Sequence, residues 1–83
     1  MGDKRFVYVL RSVRDGSRYY VGLTSNVRQR LEVHNSGGSQ HTAALRPWTL
    51  VASVEFANES SAVQFEHYLK TGSGRAFAKR HFI

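Results

Sequence analysis

Two tyrosines, Tyr8 and Tyr20, an arginine and a histidine four residues apart, Arg30 and His34, and a glutamate, Glu66, are the side chains of this sequence whose types could do chemistry together. Imidazole moves protons near neutral pH, guanidinium grips oxyanions in a fixed fork, and carboxylate holds hard cations. Arg30 and His34 stand at i and i+4, so on a helix they share a face. Each item alone has an ordinary explanation. Arg30 and His34 suit a solvated charged face, Tyr8 and Tyr20 an aromatic pair across two strands, and Glu66 with Lys70 an i,i+4 ion pair.

These residues need elements to hold them. The segment 5–12, RFVYVLRS, is β-branched and aromatic, with Phe6, Tyr8 and Leu10 on one face and Val7 and Val9 on the other, as in a central strand buried on both sides. Asp15-Gly16 signals a turn and YYVGL returns as a second strand, so residues 5–23 read as a β-hairpin with Tyr8 and Tyr20 as neighbours across it. The period then changes. Thr24, Ser25 or Asn26 can cap a helix in which Val27, Leu31 and His34 fall at i, i+4 and i+7, ending at Asn35.

NSGGSQ reads as a mobile loop. The stretch 49–57, TLVASVEFA, reads as a third strand with Leu50, Ala52, Val54 and Phe56 on one face. Asn58 or Ser60 then caps a helix whose stripe is Ala62, Phe65 and Leu69, with Glu66 beside it. TGSG breaks that helix, and RAFAKRHFI reads as a short basic C-terminal helix. The whole is a single domain, 1–83, of α/β (α+β) class: a small three-stranded, largely antiparallel sheet flanked by helices.

Composition narrows the function. Twelve Lys and Arg against six Asp and Glu give a net charge of +6, and nine of the twelve are Arg, which favours bidentate phosphate contacts. A nucleic-acid partner is the expectation. The chain has no cysteine, which excludes disulfides and thiolate-bound zinc, and His34, His41, His67 and His81 form no close metal-ligand pair. No apolar run is long enough to cross a membrane and no signal-peptide core opens the chain, so a cytoplasmic protein is expected.

FVY at Phe6–Tyr8, YVG at Tyr20–Gly22, Arg30 eight residues after that glycine, His34 four later and Glu66 on a later helix resemble the GIY-YIG nuclease family. The likeness runs from Phe6 to about Lys70, takes in the HNSGGSQHT loop, and is strongest to small stand-alone bacterial members. Phe6 stands where the family has its first glycine.

The resemblance implies a metal-dependent endonuclease with Tyr8, Tyr20, Arg30, His34 and Glu66 in the active site. Arg30 would be the phosphate ligand, and Glu66 the ligand of one Mg²⁺ or Mn²⁺. Either tyrosine could be the proton acceptor, its phenolate favoured by nearby cations such as Arg30, the metal or His34. Glu59, seven residues before Glu66, is the one rival carboxylate, and its better role is a first-turn acid. The expected substrate is DNA, single-stranded or structured. Arg28, His41, Lys70, Arg75, Lys79 and Arg80 are the expected contacts to its backbone. Gly72 and Gly74 make a helix stop rather than a phosphate loop. The competing reading is a non-catalytic nucleic-acid-binding module on the same scaffold, which needs only the basic surface.

Overall fold

The computed structural model describes residues 2–83. Strand β1 (Phe6–Ser12) lies between β2 (Tyr19–Thr24) and β3 (Trp48–Glu55), antiparallel to both, in the order β2-β1-β3. Helix α1 (Val27–Asn35) follows β2, a single 3₁₀ turn (Ala43–Leu45) precedes β3, and helices α2 (Glu59–Leu69) and α3 (Gly72–His81) close the chain.

Because side chains alternate along a strand, β1 feeds two cores at once. Val7 and Val9 pack on one face with Ala62, Leu69 and Ala78 of α2 and α3. Tyr8 and Leu10 pack on the other with Trp48, against Val27 and Leu31 of α1. All four β1 residues are at most 2% exposed, as befits the only strand with a neighbour on each edge.

The hairpin forms as expected, and its turn is held by Asp15 Oδ1, which accepts from the Ser17 backbone N–H at 3.1 Å and its hydroxyl at 2.7 Å. Helix α1 starts where Asn26 Oδ1 accepts from the Gln29 N–H at 3.0 Å. Helix α2 starts in the same way from Asn58, whose Oδ1 accepts from Ser61 N–H at 2.8 Å.

Two expectations are corrected. Leu50 does not share a face with Ala52, Val54 and Phe56. The β1–β3 pairing shifts between Val9 and Leu10, so Val9 faces Ala52 while Leu10 faces Leu50. Such a bulge turns every residue before it to the other side, and Leu50 is left 43% exposed. The last helix begins at Gly72, not at Arg75. Thr71 caps it by accepting from Gly74 N–H at 3.1 Å, so the glycines end one helix and open the next.

The segment 36–42 is pinned rather than loose. Gly38 N–H bonds to Val33 O at 2.9 Å and Gly37 N–H to His34 O at 3.3 Å, the paired bonds of a Schellman stop, with Gly37 at φ +83°. The Asn35 amide then clamps the start of β3. It accepts from Trp48 N–H at 2.6 Å and donates to Trp48 O at 3.0 Å.

Candidate active site

Tyr8, Tyr20 and His34 meet on the α1 face of the sheet. Tyr8 pairs with Gly22 and Leu10 with Tyr20, so the two tyrosines are diagonal neighbours, with ring centroids 6.2 Å apart. The Tyr8 ring reaches across Gly22. A Cβ at Gly22 would lie 2.4 Å from the Tyr8 hydroxyl oxygen, so only glycine leaves the ring room. That is the physical reason for a glycine in this strand. The His34 ring completes the cluster, 5.8 Å from Tyr8 and 4.9 Å from Tyr20.

Tyr8 and His34 are 1% and 0% exposed, and the Tyr8 hydroxyl lies 2.8 Å from His34 Nε2. On the far side of the ring, His34 Nδ1 lies 2.7 Å from Thr42 Oγ1, itself buried. Thr42 has one hydroxyl proton, and Ser39 O, 3.4 Å away, is an acceptor available to it. A lone pair of Thr42 Oγ1 is then free to accept Nδ1–H. This assignment leaves Nε2 without a proton, so Tyr8 O–H donates to it.

The electrostatics agree with that proton arrangement. Burial, and next the nearby Arg30 charge, hold the His34 imidazole below its usual pKa, so it is neutral at neutral pH. Burial also raises the Tyr8 phenol, against the lowering effect of the nearby Arg30 guanidinium. The expectation that His34 favours the phenolate as a cation is therefore corrected. His34 is a neutral base that receives the Tyr8 hydrogen bond.

Arg30 and Glu66 complete the set. Both are close enough to Tyr8 to move its pKa in opposite directions, Arg30 down and Glu66 up. Glu66 is buried on α2, its side chain 11% exposed, with Oε2 at 2.5 Å from Lys70 Nζ and Oε1 at 3.7 Å from His67 Nε2. Glu59 is engaged elsewhere, accepting from the Lys4 backbone N–H at 2.8 Å. Among the described residues no three His, Asp or Glu side chains cluster as a metal cage.

The candidate phosphate contacts separate into groups. Lys70, Arg75 and Lys79 line one hollow, while Arg80 lines a different, smaller one with Tyr68 and Phe77. Arg28 and His41 are exposed, and neither is part of the Tyr8–His34 cluster. Thr42 is the member of this buried cluster missed at the level of sequence. Its only signal was a hydroxyl at the end of the loop after His34.

Residues 4–80 match the model of the GIY-YIG catalytic domain, nearly the whole chain. The protein belongs to the GIY-YIG family. A UPF0213 protein of Streptococcus pneumoniae is 44% identical over 71 residues, which cover 84% of this chain and 70% of the relative. The structure-specific endonuclease subunit SLX1 of Debaryomyces hansenii is 39% identical over 77% of this chain, which spans only 20% of that larger protein. The solution structure of the UPF0213 protein BH0048 from Bacillus halodurans superposes with a TM-score of 0.56 at 32% identity, over 93% of this chain and 81% of that one. The GIY-YIG fold and membership are thus shown, and the endonuclease relatives make nuclease activity the family's expectation for this chain.

Proposed function

We propose that this protein is a metal-assisted endonuclease that hydrolyses phosphodiester bonds in DNA with unpaired or branched segments. The observation that carries this reading is the buried chain Tyr8 O–H, His34 Nε2, His34 Nδ1–H, Thr42 Oγ1, with the Arg30 charge close enough to Tyr8 to lower its pKa. A binding module has no use for an oriented, uncharged imidazole behind a phenol.

Hydrolysis needs a proton acceptor for water and charge stabilisation at phosphorus. Water bound at the Tyr8 oxygen passes a proton to it while Tyr8 passes its own to His34 Nε2, giving an imidazolium whose Nδ1–H stays on Thr42. An arriving phosphate, being anionic, raises the proton affinity of His34 at the moment this transfer is required. The Arg30 guanidinium, permanently charged, takes the phosphoryl oxygens. Tyr20 holds the imidazole from its face.

The donor set near Glu66 suits one hard cation. A single carboxylate, with water and substrate oxygens in the remaining positions, is how Mg²⁺ binds at phosphoryl-transfer sites. Glu66 would hold it, and when bound it supplies Lewis acidity toward the leaving oxygen.

The test is cleavage of labelled single-stranded, duplex and branched DNA, and of RNA, with and without Mg²⁺ or Mn²⁺, by the parent protein and Glu66→Gln. Metal-dependent cuts lost in Glu66→Gln support the reading. Salt-sensitive binding with no cutting in any condition sinks it in favour of the binding module.

A further inference from the structure

A broad hollow lies on the α2–α3 face of the sheet, the face opposite the Tyr8–His34 cluster, and reaches the free edge of β2, where Tyr20 is among its lining residues. Its volume is about 960 Å³, at the upper end of the ~300–1,000 Å³ usual for ligand sites. Val9, Val21, Leu69 and Ala78 give it an apolar floor, and Tyr19, one face of whose ring has the Arg11 guanidinium 5.9 Å away, lines its wall. Arg18, Lys70, Arg75 and Lys79 form its rim, drawn from the hairpin, the end of α2 and one face of α3. No acidic side chain lines it. Among the described residues Arg18, Arg75 and Lys79 make no ion pair; only Lys70 does, with Glu66.

We propose that this hollow is a binding site for an unpaired nucleotide, its base on the Tyr19 wall and apolar floor and its flanking phosphates on the cationic rim. A duplex keeps its base faces stacked inside, showing only base edges and backbone, and would leave the apolar floor idle. An unpaired strand exposes base faces that stack on aromatic and apolar side chains while cations follow its backbone. Tyr20 is the one residue common to this lining and the Tyr8–His34 cluster, so a strand seated here would round the β2 edge to reach the other face. The proposal rests on the nuclease reading for its ligand class and adds the place where an unpaired base is held.

The experiment is fluorescence anisotropy in EDTA, which stops metal-dependent cutting, with a short single strand, a hairpin duplex of the same composition, and the single strand carrying abasic residues at its centre. The proteins are the parent, Arg75→Glu/Lys79→Glu and Tyr19→Ala, each checked for folding by circular dichroism. The double charge reversal should weaken single-strand binding about tenfold or more and duplex binding much less. Abasic substitution should weaken binding to the parent severalfold and add nothing in Tyr19→Ala. It reads base stacking on the intact protein even if Tyr19→Ala fails to fold. Equal losses for single strand and duplex, or abasic strands bound as tightly as intact ones, overturn the proposal while leaving the nuclease reading in place. Binding of an acidic peptide that oligonucleotides do not displace overturns it and assigns the hollow to a protein partner. A parent protein that binds no nucleic acid overturns both readings.

Discussion

Thr42 Oγ1 stands 2.7 Å from Nδ1 of His34, eight residues earlier in the chain, and both side chains are buried. By accepting Nδ1–H it keeps Nε2 open toward Tyr8. Thr42→Val keeps the shape and removes the acceptor, so it should lower kcat by about ten- to a hundredfold with little change in KM. Thr42→Ser should restore most of the loss. The ¹⁵N shifts of His34 provide an independent check, since the valine variant loses the single tautomer and the serine variant keeps it.

The lowered pKa of His34 fixes the pH behaviour. Its folded value lies below the ordinary 6.5, so as pH falls through that region the unfolded chain takes up a proton first. The stability that neutral His34 contributes is complete above the unfolded value and is lost as pH drops below it. Cleavage should follow, with an acid limb below pH 6.5 that disappears in His34→Gln, whose residual rate is low and flat. The raised Tyr8 phenol puts no alkaline limb in the neutral range. Rate against pH, with thermal melts across the same range, measures both.

At Gly22 a methyl group would collide with the Tyr8 ring. Gly22→Ala should cost about 1–3 kcal/mol of stability, read by urea denaturation, as the ring is forced off its place. Activity should fall further than stability explains, because the displaced atom is the hydroxyl that bonds His34.

The ammonium of Lys70 sits on a carboxylate oxygen of Glu66, the residue that would hold a divalent cation. Lys70→Met should therefore reach half-maximal cleavage at a lower Mg²⁺ concentration, measured at saturating substrate so that any loss at the rim of the hollow does not interfere. Chelation with EDTA should stop cutting and leave DNA binding intact.

Asn35 mimics a paired strand residue for Trp48 by accepting from its N–H and donating to its C=O. Asn35→Ala strands both groups at the start of β3 and should cost about 1–3 kcal/mol, measured by thermal or urea unfolding.

The hairpin, the caps of α1 and α2 and the two-faced β1 were legible because they rest on neighbours in sequence: alternation, Asp15-Gly16, Asn26, Asn58. The meeting of Tyr8, Tyr20 and His34 was legible through their ordered spacing. The bulge at Val9/Leu10 was not, because which partner residue is skipped depends on how β3 settles against β1. The start of α3 was hidden since glycine reads as a breaker, and only the Thr71 cap with the tight α2–α3 corner turns Gly72–Gly74 into a first helical turn. Thr42 was hidden for a related reason: its partner is brought back by the Schellman stop, a feature of backbone geometry.

That stop has a consequence for how the sequence can vary. Surface connections ordinarily tolerate added or deleted residues at little cost. Between His34 and Thr42 the chain acts as a ruler, set by Gly37 and Gly38 at one end and by the Trp48 indole N–H on the Thr42 carbonyl, 2.9 Å away, at the other. One residue more or fewer would leave the helix, the sheet and all five site residues where they are, and would still take the hydroxyl off the imidazole.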